Sequence, residues 1–389
     1  MTACTNKTSN NPFINLDANA SEPVRPEARL AAIEALSLEG NPASPHRAGR
    51  RARALLDASR ERIASLFGAD PERLVFTSGG TEANALALHA TGRVVLAGAT
   101  EHDSVRSTLA ADCRILPVAA DGQLRLEALD RALAETTAGG AQAQVCLMLA
   151  NNETGVLHPL RDAARLCRAH RAWLHVDAVQ AAGRMAIDLD ELGADSLAVS
   201  AHKLGGPKGA GALLLHGARR SVAAMIAGGG QERGQRGGTP ALPAIAGFAA
   251  AAEASCADQA SRATRDAAWV AGLEAAAVGA GAVVCGAQAP RLANTSCLLL
   301  PGRRSEAQLI ALDLAGFGVS AGSACSSGKL SRSHVLEAMG FGSGAGEAIR
   351  VSLPWNAQAG AVEGFTRAYL DMVQRAAPRA PPSALELVP

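Results

Sequence analysis

The sequence predicts an α/β fold: a large domain built on a mostly parallel sheet covered by helices, followed by a smaller α+β domain. Three observations carry this. Between about residues 70 and 215, short apolar runs alternate with Ala-rich, charged stretches of helical character. The runs are nearly continuous rather than alternating, as strands covered on both faces must be. After about residue 260 the pattern changes to a helical stretch and then three short runs, VVCG, TSCLLLP and VSAGSA.

The expected strands, in order, are LVF (74–76), RVVLAGA (93–99), QVCLMLA (144–150), AWLHVDA (172–178), DSLAVSA (195–201) and GALLL (211–215). We divide the chain at 15–261 for the large domain and 262–389 for the small one, with residues 1–14 packing on the latter. The last thirteen residues, APRAPPSALELVP, read as a mobile Pro-rich tail.

Composition narrows the function. The 389 residues carry 37 basic and 36 acidic side chains, a net charge of +1, which gives no support to nucleic-acid or membrane-surface binding. Eleven aromatics offer little for stacking single-stranded bases. No run of about 18 apolar residues is present, and the polar start MTACTNKTSNNPF lacks a secretory signal's apolar stretch. The eight cysteines are scattered without a C-x-x-C pair, the pattern of reduced thiols in a cytoplasmic protein. No H-x-x-x-H or H-E-x-x-H supports a zinc site, so no metal is expected.

Ligands of an open parallel sheet bind beyond the carboxyl ends of its strands. Reactive groups follow five runs in succession: Thr77–Asn84, then Glu101 and His102, then Asn151–Gly155, then Asp177 and Gln180, then Ser200, His202 and Lys203. TSGGTEAN passes from a strand through two glycines into a helix starting near Thr81, a cradle for an anion such as phosphate. An ordinary strand–helix turn reads the same way. The nucleotide P-loop pattern is absent; Ser327-Gly328-Lys329-Leu330 lacks its first glycine and its terminal hydroxyl. Lys203 follows a buried run directly, where desolvation favours the neutral, nucleophilic amine. A phosphate cradle, such a lysine and the acid Asp177 together suggest pyridoxal phosphate, which needs a Schiff-base lysine and a carboxylate opposite its ring nitrogen. The segment SAGSACSSG sets Cys325 among residues with almost no side chain, leaving little for the thiol to pack against.

FTSGGTEAN, ANNETGVLHP, HVDAVQAAGRMAIDL, SAHKLGGPKGAGAL, GGGQERGQRGGT and SAGSACSSG together resemble the cysteine desulfurase family, the NifS/IscS-like branch of the class V aminotransferases. The resemblance runs from LDANAS near residue 16 to IRVSL near 353. It implies that Lys203 binds the cofactor covalently and then moves the substrate Cα proton. Asp177 would face the ring nitrogen, Gln180 the ring hydroxyl, and His102 the ring face. Asn152 would lie near the ring hydroxyl and substrate carboxylate. Gly80, Thr81, Ser200 and His202 would bind the phosphate, and Thr239 would reach the phosphate of the other subunit of a homodimer. Arg350 would clamp the substrate carboxylate in a bidentate fit. Cys325 would attack the sulfur of L-cysteine, take it as a persulfide and pass it to an acceptor such as an iron–sulfur scaffold protein.

Three segments depart from the family pattern. LDANAS replaces LDNAAT, QRGGT replaces LRSGT, and PWNAQAGAVEG replaces the usual glycine and threonines after Arg350. Two other readings stay open at this point: a selenocysteine lyase or other class V enzyme in which Cys325 is dispensable, and a non-catalytic sulfur carrier.

Overall fold

The computed structural model describes residues 13–217, 219–322 and 332–376; Cys325 and the Pro-rich tail lie outside the described residues. After a two-residue strand, β1 (Ile14–Asn15), come seven strands that make one sheet. These are β2 (Leu74–Thr77), β3 (Val94–Gly98), β4 (Arg114–Leu116), β5 (Ala143–Met148), β6 (Trp173–Asp177), β7 (Ser196–Ser200) and β8 (Gly211–Leu215). Their order is β2-β8-β7-β6-β5-β3-β4.

The pairings from β7 across to β4 are parallel, while β8 runs antiparallel to both β7 and β2. Two reversals restore direction, so β2 points the same way as β7. The carboxyl ends of β2, β3, β5, β6 and β7 therefore emerge along one edge. Every residue of β2, β5, β7 and β8 is buried, as a sheet with helices on both faces requires. All six expected strands form. β4, at the sheet edge, was not expected: Arg114 and Ile115 are exposed there, so its three residues make no apolar run.

The smaller unit holds β9 (Val283–Val284), β10 (Thr295–Leu299), β11 (Phe317–Gly318) and β12 (Ala348–Ser352). β12, β10 and β9 form an antiparallel sheet, and β1 returns from the far end of the sequence to pair with β11. The expected run VSAGSA contributes only an isolated bridge, Ser320 to Arg350, among its described residues.

One helix, Leu242–Gly279, serves both cores. Leu242, Ile245 and Phe248 pack in the large hydrophobic cluster under the sheet, whereas Val270, Leu273 and Ala277 pack with Phe317, Phe365 and Tyr369 in the second. The expected division at 261/262 falls inside this helix. Leu16 also belongs to the second cluster, so the chain after β1 crosses from the smaller unit into the cleft between the two.

Candidate active site

The edge where the five strand ends gather opens into a cleft. Gly80, Thr81, His102, Asn152, Asp177, Gln180, Ser200, His202, Lys203 and Arg350 all line it, although the sequence scatters them over 271 positions (350 minus 80, inclusive). Thr239 is exposed and is not among its lining residues. Cys325 lies outside the described residues.

Asp177 is the last residue of β6 and is almost wholly buried. Its Oδ1 accepts from the Val179 amide at 2.9 Å and its Oδ2 from Asn84 Nδ2 at 2.7 Å. Gln180, one turn on, has its amide orientation set by a buried arginine. Arg184 Nη1 donates to Gln180 Oε1 at 2.6 Å, which leaves the Gln180 amino group, now bonded to Asn19 O at 3.0 Å, as the donor facing the cleft. Glu22 balances Arg184 at 3.3 Å. Burial pushes Glu22 above the usual carboxylate range and holds Arg184 below the usual arginine range, each partly offset by the other.

Lys203 follows β7 on a short 3-10 turn and is half-buried. Its ammonium donates to the carbonyls of Asn19 and Ala20, the latter at 3.1 Å. The LDANAS segment thus holds the lysine in the cleft from the other end of the chain. His102 caps the turn Asp103–Arg106, its Nδ1 accepting the Ser104 amide at 3.0 Å. A backbone N–H only donates, so the neutral ring carries its proton on Nε2.

The phosphate end of the cleft is equally built. The helix Gly80–Leu88 begins without a side-chain cap, so its first amides are open to an anion. A Cβ on Gly80 would come within 2.5 Å of Val179 Cγ2, so only glycine fits there. Ser78, Thr81, Ser200, His202 and Lys208 surround the adjoining recess. Burial, with Lys203 and Lys208 adding to it, pulls His202 down to about 4. Two buried acceptors in the cleft, Ser200 Oγ and Asn152 Oδ1, have no partner among the described residues. Orphaned polar atoms of this kind call for a polar ligand. A lysine, a carboxylate, a donor amide and a recess of open amides and hydroxyls at one cleft fit pyridoxal phosphate.

Arg350, on β12, enters from the smaller unit and is 4% exposed. Its Nη2 donates to Asp17 Oδ1 at 2.6 Å and its Nη1 to Asn152 O at 2.9 Å. Asp17 Oδ2 in turn accepts from Ser320 Oγ at 2.8 Å. Nearby, burial raises Glu153, which accepts from Ser333 Oγ at 2.5 Å, and raises Glu101 further.

The sequence reading missed roles for Asn19, Asp17, Asn84, Ser104 and Arg184. Asn84 stood in view inside TSGGTEAN, one turn into a helix after a strand end. Asp17 and Asn19 stood inside LDANAS and Arg184 inside HVDAVQAAGRMAIDL, but nothing in those segments says which cleft residue each one meets.

Comparisons with known proteins agree with this geometry. The aminotransferase class-V family matches residues 14–365. A cysteine desulfurase from Cereibacter sphaeroides is 37% identical over 347 residues, covering 84% of this chain and 86% of that protein. A cysteine desulfurase IscS from Dictyoglomus turgidum is 33% identical, covering 84% and 85%. The X-ray structure of a NifS-like protein from Rickettsia africae superposes with a TM-score of 0.86 at 30% identity, covering 93% of this chain and 99% of that one. Members of this family depend on pyridoxal phosphate. The chain belongs to the class-V aminotransferases and, within them, to the NifS/IscS-like cysteine desulfurases.

Proposed function

We propose that this protein removes sulfur from L-cysteine, giving L-alanine and a persulfide on Cys325. The single observation that carries the reading is the convergence of Lys203, Asp177, Gln180, His102 and Arg350 on one cleft. Bound there, pyridoxal phosphate supplies an electron sink that makes the substrate's Cα–H bond acidic and its sulfur open to attack.

The chain's own residues do the rest. Arg350 pairs with the substrate carboxylate, and the open amides and hydroxyls at Gly80, Thr81 and Ser200, with His202, hold the cofactor phosphate. Asp177, its carboxyl held by the Val179 amide and Asn84, would face the ring nitrogen. Gln180 presents its amino group to the ring oxygen because Arg184 occupies its carbonyl. Lys203 would hold the cofactor and would carry the substrate's Cα proton. Asn152 offers its unpartnered Oδ1 to cofactor or substrate. The thiolate of Cys325 attacks the substrate sulfur; the Cβ–S bond breaks as the S–S bond forms. Two S–H groups enter and one leaves, the other hydrogen completing the alanine methyl, so no external oxidant is needed.

The persulfide sulfur then passes to an acceptor protein, an iron–sulfur scaffold on the family resemblance. Thr239, exposed on its own subunit, reaches the partner's phosphate in a homodimer. Unpaired thiols at Cys113, Cys146, Cys167, Cys256, Cys285 and Cys297 support a reducing compartment, the cytoplasm. No helix among the described residues is long and apolar enough to cross a membrane.

The test is single-turnover alanine release with mass detection of the persulfide. Cys325→Ser leaves the cleft residues in place but removes the nucleophile, since a hydroxyl is far less nucleophilic than a thiolate at neutral pH. Alanine release from cysteine is expected to fall by orders of magnitude while cysteine still perturbs the cofactor's spectrum. Near-normal release would favour a lyase such as selenocysteine lyase.

A further inference from the structure

We propose that Asn84 is a positioning residue that sets two cofactor-facing groups, Asp177 and His102, from a single amide, whose direction the Asp177 carboxylate fixes and whose oxygen His175 meets. The inference rests on the reading of the cleft given above.

Asn84 sits one turn into the helix Gly80–Leu88 and is fully buried. Its Nδ2 donates to Asp177 Oδ2 at 2.7 Å and to Ser104 Oγ at 2.9 Å. Ser104 Oγ lies 3.0 Å from His102 Nδ1. That nitrogen already accepts the Ser104 amide, so the hydroxyl proton points toward it and the Ser104 oxygen is free to accept from Asn84. One amino group therefore gives one hydrogen to Asp177 directly and the other to Ser104, which holds His102.

The other end of the amide is met from behind. His175 and Asp177 are two residues apart on β6 and so share a face of the sheet, the face this helix covers. His175 Nε2 lies 3.0 Å from Asn84 Oδ1, and its Nδ1 lies 2.9 Å from Ser196 Oγ, the residue opposite it in the β6–β7 register. Burial, with Arg219 adding to it, pulls His175 down to about 3, so the ring is neutral and has one proton to place. Asn84 Oδ1 can only accept, so that proton is on Nε2, and the Ser196 hydroxyl donates to Nδ1. Rotating the Asn84 amide by half a turn would set its oxygen against the Asp177 carboxylate and its amino group against the His175 N–H. The first contact is repulsive whichever nitrogen of His175 carries the proton, so the Asp177 carboxylate sets the direction of the amide and His175 takes the tautomer that answers it. Ser196, His175, Asn84 and Ser104 thus form one chain of satisfied bonds in a buried setting, where such networks hold a single geometry.

The test compares the purified holoenzyme with three variants: Asn84→Ala, the same-shaped Asn84→Asp, and Ser104→Ala. Asn84→Asp keeps the shape and an oxygen for His175 but puts a second carboxyl beside Asp177 that can share at most one proton, so Asp177 and Ser104 no longer both receive a donor, which separates positioning from packing. In both Asn84 variants the visible cofactor band is expected to move and cofactor retention on dialysis to fall about tenfold or more, the scale seen when outer-shell partners are removed. Ser104→Ala breaks only the His102 arm, so its band is expected to stay in place while kcat for alanine formation falls about tenfold with KM little changed. A wild-type band and wild-type cofactor retention in folded Asn84→Asp would overturn the proposal. So would a Ser104→Ala band displaced as far as that of Asn84→Ala. Wild-type enzyme that forms no alanine from cysteine would count against the desulfurase reading instead, and the band positions would still decide the role of Asn84.

Discussion

Arg60 and Glu232 form a bidentate ion pair that is 5% and 8% exposed, and replacing Glu232 by alanine should be among the costliest single changes outside the cleft. Glu232 accepts from Arg60 Nη2 at 2.7 Å, from Arg60 Nη1 at 2.9 Å and from the Phe76 amide at 2.9 Å. Arg60 also donates to Leu74 O at 2.5 Å and lies over the Phe76 ring, 4.6 Å from its centroid. Removing the carboxylate strands a buried guanidinium, which costs about 3–5 kcal/mol. The Phe76 N–H, left unpaired next to it, moves the expectation to the upper end of that range. The pair also pins a turn in which Glu232 and Arg233 hold φ of 46° and 56°, a conformation side chains other than glycine adopt at a cost. Thr239 follows this turn, so cofactor retention should fall with stability. In the double variant Arg60→Met/Glu232→Leu no buried charge remains; the Phe76 N–H and the Leu74 carbonyl are left unsatisfied, at about 1–3 kcal/mol each. The assay is urea denaturation of the holoenzyme at fixed protein and cofactor concentrations. A Glu232→Ala variant within about 1 kcal/mol of wild type would refute the argument, as would a double variant no more stable than the single one.

Three further outcomes are expected. Arg350→Ala should lower kcat/KM for cysteine by about 100–1000-fold, the loss of a buried charge-assisted bidentate contact, and a change of less than about threefold would exclude it as the carboxylate clamp. Stability should fall as pH drops below about 6.5. Burial, only slightly offset by Asp121, pulls His158 down to about 4, and burial with Arg219 pulls His175 down to about 3. The unfolded chain therefore binds more protons in this window, and each histidine contributes about 1.4 kcal/mol of lost stability per pH unit. His158→Gln should flatten this acid limb, and an unchanged slope would assign the proton uptake elsewhere. Finally, sedimentation should give a homodimer, and a monomer retaining full cofactor would contradict the role assigned to Thr239.

Most of the cleft was legible because its chemistry follows strand ends. Six apolar runs marked six strands, and topology does the rest: parallel strands deliver their carboxyl ends to one edge whatever the loop lengths between them. Gly80, His102, Asn152, Asp177 and Lys203 are each found by reading the residues just past a run. That rule reaches no further than the runs themselves. Arg114–Leu116 escaped because an edge strand with two exposed side chains has no apolar signature.

What the sequence by itself determined is the reactive inventory and the sheet that gathers it, since both depend on local pattern. Tertiary structure alone decided how those groups are held. The carbonyls of Asn19 and Ala20 meet Lys203 across 184 and 183 positions. Asp17 meets Arg350 across 333. Arg184 turns the Gln180 amide, and Asp177 turns that of Asn84, through buried bonds that no periodicity encodes. A polar side chain in a buried site must find a partner, but which partner depends on what the fold brings within about 3 Å, and that distance is unrelated to separation along the chain.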